Sequence, residues 1–432
     1  MPGRKNLILV VSDKMTTNKK KDRNENLLVR MSAKTREVMD YGDDSVELWA
    51  KENNSMLLGI FQAFKEDITT IKRMVASGEL SEEDTHRVGF VTDKTYQKIV
   101  GKADKKPSNI WISNKIENTV IGADPEFLLF DPDGSKVRIP NTIDGFGAAG
   151  ALGYDGPLAE LRPAPATNPI DLVNNIHAIL NDGRKTKAIK DYLWRSDCYH
   201  KDAVRDYLIG GHIHVGNPIQ IAQLPMADRN RFFSVLNKIL DELLALPMIR
   251  IDNEKGHLRR NKGSYGAYGY FGEFRTDLGR LENRTLSGMW LTHPELAKAV
   301  FGTAKAIIDE AFRLIADNKF KKEYMCIPKE QNYKDIYRNN FNGWKDIPLA
   351  RDLCCLRSST EMKQMLSDSK AQAVNKSFIA GWLGTLKSFS TYKENSAYID
   401  RLADILGLSV KKLKNMDTDL KKNWLEGKEF TF

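Results

Sequence analysis

Five short segments of this chain each set two polar side chains two residues apart. They are Asp124/Glu126 in Gly-Ala-Asp-Pro-Glu-Phe, Glu160/Arg162 in Leu-Ala-Glu-Leu-Arg-Pro, His212/His214 in Gly-Gly-His-Ile-His-Val-Gly, Glu273/Arg275 in Gly-Glu-Phe-Arg, and Glu282/Arg284 in Leu-Glu-Asn-Arg-Thr. In a strand, residues i and i+2 point to one face about 6.6 Å apart, so each segment offers a two-pronged polar grip. The residue between is apolar in three of them (Leu161, Ile213, Phe274) and is placed to pack the opposite face. One such pair alone is ordinarily a surface salt bridge worth under about 1 kcal/mol. Five gathered on one sheet face would be ruinous to bury without a charged ligand among them. Divalent cations on carboxylate oxygens, with phosphates bridging to arginines, satisfy all these groups together. Magnesium suits such oxygen-rich ligation, with manganese as a substitute, whereas a dedicated zinc site recruits more His or Cys.

The β-rich runs Thr119-Val-Ile-Gly-Ala and Phe127-Leu-Leu-Phe, with turn chemistry at Asp131-Pro-Asp-Gly134, read as hairpins of an antiparallel or mixed sheet. Three amphipathic helices interrupt it. One runs from about Pro169 to Leu180 with Asn168 as cap, one from about Asp228 to Leu246, and one from about Pro294 to Ala316. This irregular alternation predicts an α+β core with helices on one face of the sheet and the other face open to a ligand. The core is expected over 118–318. It follows an N-terminal α/β extension (1–117) holding a strand at Leu7 to Val11 and a helical stretch around Leu48 to Ala76, and it precedes a mainly helical region (319–432). In that last region Trp344, Trp382 and Trp424 are read as core or docking residues.

Composition narrows the class. At 432 residues the chain can bury a core that excludes water, and no apolar run approaches the roughly 18 residues that span a bilayer. Met1 to Val11 lacks a cleavage site and reads as a strand rather than a signal peptide. The four scattered cysteines, without Cys-x-x-Cys spacing, fit a reducing cytoplasm. The formal charge of +9 suits nucleic acid, an acidic partner or nucleotide phosphates equally, because the basic residues are dispersed. The one dense cluster, Lys19 to Arg23, reads as a solvated loop.

Two attractive patterns fail. Gly145-Phe-Gly-Ala-Ala-Gly150 matches a dinucleotide fingerprint, but Pro157 interrupts the helix it needs, and the stretch some 20 residues beyond reads Pro165-Ala-Thr-Asn-Pro169. It is read as a mobile loop lining the site. A Gly-x4-Gly-Lys-Ser/Thr phosphate loop is absent. The glycines Gly210, Gly211 and Gly216 around the paired histidines suggest close backbone approach to a ligand, while His177 and His293 are read as structural or capping.

In order and spacing, Ile-Gly-Ala-Asp-Pro-Glu-Phe (121–127), Asp155 to Pro163, Gly-Gly-His-Ile-His-Val-Gly (210–216) and Gly279 to Gly288 resemble the phage-type carboxylate-amine ligases, an amidoligase family of the glutamine synthetase-like superfamily. The resemblance covers roughly 120–300. It implies a curved sheet holding two or three magnesium ions around ATP phosphates, with acyl-phosphate formation followed by amine attack. By motif, Asp124, Glu126, Glu160, His212 and Glu282 look like metal ligands, and His214 like a phosphate contact. Arg275 and Arg284 look like neutralisers of charge on the transferring phosphoryl group or the substrate carboxylate, and Arg162 serves either. Arg259 and Arg260, in Arg259-Arg260-x-x-Gly-Ser-Tyr-Gly266, resemble a substrate or phosphate loop. Asp124 stands where many relatives carry glutamate. A carboxylate, with Glu273 and Glu282 as candidates, or a metal-bound water is needed to take the amine's proton.

The expected partners are a carboxylate and an amine, small or macromolecular, with no membrane. Nucleic acid as substrate and a homo-oligomer both stay open, and the expected compartment is cytoplasmic, the host's if the gene is a phage's. Two rivals remain at this stage. One is a metal-dependent hydrolase in which His212/His214 and the carboxylates activate water; the other is a non-catalytic nucleic-acid-binding or virion-associated protein.

Overall fold

The computed structural model describes residues 119–430, apart from 223, 253–254, 262–267, 277–279, 334, 339–340 and 369–373, together with 8–11, 26–30 and 88–92. The chain forms two compact units, one of 1–113 with 218–225 and the other of 114–217 with 226–432. In the first, β1 (Ile8–Val11), β2 (Asn26–Arg30) and β3 (Val88–Thr92) make an antiparallel sheet in that order. The expected strand at 7–11 is present. The expected helical stretch 48–76 and the basic cluster 19–23 lie outside the described residues.

The second unit is built on an antiparallel sheet of β4 (Ile121–Phe130), β5 (Val137–Arg138), β6 (Leu152–Asp155), β7 (Leu158–Leu161), β8 (Leu193–Arg195), β11 (Gly211–Gly216), β12 (Phe274–Thr276) and β13 (Arg280–Asn283). Its order is β12-β13-β11-β4-β7-β6, with β5 and β8 also on β4, and every pairing is antiparallel. A separate hairpin joins β9 (Tyr199–Lys201) and β10 (Asp206–Leu208). The two β runs expected at 119–123 and 127–130 fuse into the single strand β4, which passes straight through Pro125. The Glu126 N–H bonds the Gly210 carbonyl at 2.9 Å. The N–H that Pro125 lacks would therefore have faced the other edge, where β7 pairs only Glu126 and Phe127 and the ladder ends.

Helices cover one face. α1 (Pro169–Gly183) packs on β4 and β6, and α2 (Met226–Leu240) on β12 and β13. After α3 (Gly256–Asn261), α4 (Pro294–Asp317) packs on α1 and α2, and α5 (Lys376–Lys387) and α6 (Tyr392–Gly407) complete the layer. The start signals work as read: Asn168 Oδ1 accepts from the N–H groups of Ile170 (2.8 Å) and Asp171 (3.2 Å), and Pro169 takes the first helical position. His293 caps α4 by accepting from Glu295 N–H at 3.1 Å.

The helix expected over 228–246 instead passes at Asp241–Ala245 into a π turn. Pro247 follows shortly after and cannot send an N–H to the carbonyl of Leu243 four residues back. Trp382 Nε1 donates to that carbonyl at 2.7 Å. Trp424 does the same for Leu291 (2.7 Å), and Trp344 donates to Ser359 Oγ (2.9 Å), so all three tryptophans serve the core as expected. No described helix is long and apolar enough to cross a membrane.

Candidate active site

Strand order brings members of all five scattered pairs onto neighbouring strands. His212 stands opposite Asp124, His214 opposite Glu282, Glu126 opposite Glu160, and Arg275 opposite Glu282. The intervening Leu161, Ile213 and Asn283 are fully buried, while Phe274 is half-buried. Asp124 is the hub: its Oδ1 lies 2.9 Å from His212 Nδ1 and 3.1 Å from His214 Nε2. Burial opposes its charge, but hydrogen bonding and the positive field of the two imidazoles hold its carboxyl well below the usual range. His212 Nδ1 is also 3.5 Å from Glu282 Oε1, which takes a 2.7 Å bond from Arg284 Nη1. Arg284 Nε in turn meets Glu273 at 3.1 Å.

Glu126 is buried, with Oε2 accepting from Gly210 N–H at 2.5 Å, and burial raises its carboxyl. Glu160 is ion-paired with Arg162, yet burial pushes its carboxyl up to about 7 despite that partner. Such a set suits a cation. Asp124, His214 and Glu282 offer ligand atoms all within 4.8 Å of one another, His212 Nδ1 converges on the same two carboxylates, and the buried His214 Nε2 has no aligned hydrogen-bond partner among the described residues. The donor chemistry fits a hard divalent ion with some imidazole ligation.

Not every predicted residue joins the cluster. Arg259 and Arg260 are buried and committed to the protein rather than to a phosphate loop. Arg259 donates to the carbonyls of Thr285, Arg284 and Leu286 at 2.8–3.1 Å, and Arg260 pairs with Asp252 (2.6 Å) and bonds Gly269 O. Arg162 is part-exposed, and besides Glu160 it holds the carbonyls of Ala148 (2.8 Å) and Gly150 (3.3 Å). It thus pins the 145–150 loop beside Glu160, a loop that opens no helix. Arg275 is exposed. The glycines give close approach to the protein instead of a ligand: a Cβ on Gly210 would stand 2.5 Å from His212 Nε2, and one on Gly211 2.2 Å from Ser287 O.

Two residues of the site escaped the sequence reading. Arg280 Nη1 donates to His214 Nδ1 at 2.9 Å. Tyr268 sets its hydroxyl 2.6 Å from His212 Nε2 and 3.2 Å from Glu126 Oε1, and the guanidiniums of Arg259 and Arg284 each lie 4.9 Å from its ring centroid. The available signal was Tyr265-Gly-Ala-Tyr-Gly-Tyr270, directly after the arginine stretch, with Gly269 at φ 73° turning the chain back.

Sheet and cluster together define an α+β protein whose site is made of carboxylate, imidazole and guanidinium groups from neighbouring antiparallel strands. The chain belongs to the family described as phage phiEco32-like COOH.NH2 ligase-type 2, whose model matches residues 121–376, and it is a carboxylate-amine ligase. Among solved structures it is similar to the complex between the prokaryotic ubiquitin-like protein Pup and its ligase PafA (13% identity, 72% of this chain and 74% of that chain, TM-score 0.33). It is also similar to a novel glutamine synthase homolog (12% identity, 66% and 70%, TM-score 0.27). Both likenesses are too loose to support an inference about this chain. No curated protein matches it.

Proposed function

We propose that this ligase is ATP- and magnesium-dependent and joins its substrates through an acyl-phosphate, with 118–318 as its catalytic core. The carrying observation is the register that stacks Asp124 against His212, His214 against Glu282 and Glu126 against Glu160 on one face, with Arg284 beside them. An amide does not form from a carboxylate and an amine in water, so a substrate carboxylate oxygen first attacks the γ-phosphorus of ATP and ADP leaves. The amine nitrogen then attacks the acyl carbon, the bond to phosphate breaks, and the nitrogen sheds a proton. Asp124, His212, Glu282, Glu126 and Glu160, with His214 alongside, would hold two or three magnesium ions, which would supply charge neutralisation for the phosphates.

The chain's own groups do the rest. Arg284, fixed edge-on by Glu273 and Glu282, presents a pre-oriented positive charge. Exposed Arg275 and part-exposed Arg162 would meet the anionic ends of substrates, a role their charge and exposure support. Glu273, at the edge of the cluster and not among the cation ligands, is our assignment for the group that takes the amine's proton. The free, scattered cysteines suit a reducing cytoplasm.

The test is ADP release by purified protein given ATP, magnesium and pooled amino acids and polyamines, with Glu160→Gln beside wild type. ADP formation that depends on one acid–amine pair and is lost in the variant supports the reading. Failure of the wild type both to turn over and to bind ATP with magnesium sinks it.

A further inference from the structure

We propose that Tyr268 is the positioning residue that turns His212 toward the cation site and couples it to Glu126. The inference rests on the cation reading above and goes beyond it, because nothing in that reading needs a tyrosine.

The imidazole of His212 has two nitrogens and two jobs. Nδ1 points at Asp124 Oδ1 (2.9 Å) and Glu282 Oε1 (3.5 Å), the place where a cation would sit. For Nδ1 to offer a lone pair there, the ring hydrogen must reside on Nε2, and the buried Nε2–H then needs an acceptor. The Tyr268 hydroxyl, 2.6 Å away, is that acceptor. Its own hydrogen goes to Glu126 Oε1 at 3.2 Å. One hydroxyl therefore accepts from a ligand on β11 and donates to a carboxylate on β4.

The tyrosine is itself held firmly. Its ring lies within 4.9 Å of two guanidiniums, each anchored elsewhere: Arg259 by three backbone carbonyls, Arg284 by Glu273 and Glu282. Gly210 makes the room, since a Cβ there would stand 2.9 Å from the hydroxyl. The ring and the hydroxyl thus have separable roles, and Tyr268→Phe removes only the second.

The experiment is a double-mutant cycle on the full-length protein, with Mn2+ alone as probe and free Mn2+ read by electron paramagnetic resonance. Tyr268→Phe is expected to weaken Mn2+ binding about tenfold, and to have no further effect once His212→Ala is present. In parallel, 15N NMR of histidine-labelled protein with Mg2+ is expected to show the His212 ring hydrogen on Nε2 in wild type and a mixture of tautomers in Tyr268→Phe. That readout does not depend on His212→Ala folding. Unchanged Mn2+ affinity in Tyr268→Phe, or an equal loss with and without His212, overturns the proposal while leaving the cation site standing. Absence of Mn2+ binding by the wild type overturns both.

Discussion

Replacing Gly210 by alanine adds one methyl group at the most crowded point of the site. The new Cβ would lie 2.5 Å from His212 Nε2, 2.9 Å from Tyr268 Oη and 3.0 Å from Glu126 Oε2, where ordinary contact begins at 3.4 Å. The backbone cannot retreat, because the Gly210 N–H is bonded to Glu126 Oε2, its carbonyl accepts from Glu126 N–H, and it bridges to Ser287 on the other side. The side chains must move instead, by on the order of 1 Å. Overpacking of this kind costs roughly 1–3 kcal/mol, while a displacement of that size at reacting groups costs about 100-fold in rate. Gly210→Ala should therefore lower kcat/KM for ADP release about 100-fold while lowering the urea midpoint only modestly. The same change at Gly381 is the control: a Cβ there meets nothing within 4 Å, so alanine in the middle of α5 should gain about 0.5–1 kcal/mol and leave turnover alone. A Gly210→Ala protein with kcat/KM within threefold of wild type would refute the packing argument.

Glu160 predicts a pH response: its folded carboxyl is raised by burial from 4.5 to about 7, so the folded state binds the extra proton and stability falls as pH climbs between those values. In cation-free protein the fall should be on the order of 3 kcal/mol, and urea titrations of Glu160→Gln should show it flattened. Trp382→Phe should cost about 1–3 kcal/mol by orphaning the Leu243 carbonyl, and adding Pro247→Ala should restore part of that by supplying the missing N–H. His293→Ala removes the α4 cap and a 2.9 Å bond to Lys428 O, and should cost about 1–2 kcal/mol in thermal unfolding. Arg259→Ala should lower the unfolding midpoint sharply, because three buried carbonyls lose their donor. A raised KM for ATP at unchanged stability would instead restore Arg259 to phosphate binding.

What could be read in advance was what depends on neighbours in sequence. The i, i+2 spacing named the side chains that share a face, and Asn168-Pro169 and His293-Pro294 announced their helices, because strand alternation and capping are local. Long-range geometry stayed hidden. Nothing near Leu243 says that Trp382, 139 residues on, will accept the duty Pro247 abandons. Arg259 and Arg260 looked like ligand residues because a basic pair beside glycines reads alike whether it meets a phosphate or the chain's own carbonyls. Tyr268 was passed over for the same reason, since only the fold brings its hydroxyl to residues 56 and 142 positions away.

Synthesis on the ribosome delivers the sheet out of spatial order. β4 and β7 emerge early, but the strand between β4 and β13 is β11, some 80 residues after β4, and Glu282 arrives about 70 residues later still. At about 5–20 residues per second this separates the first carboxylates from the last by many seconds. A nascent or truncated chain ending before Glu282 holds Asp124, Glu126 and Glu160 without that carboxylate or its arginine. Without that last strand the cluster has neither the carboxylate that stands opposite His214 nor the guanidinium paired with it.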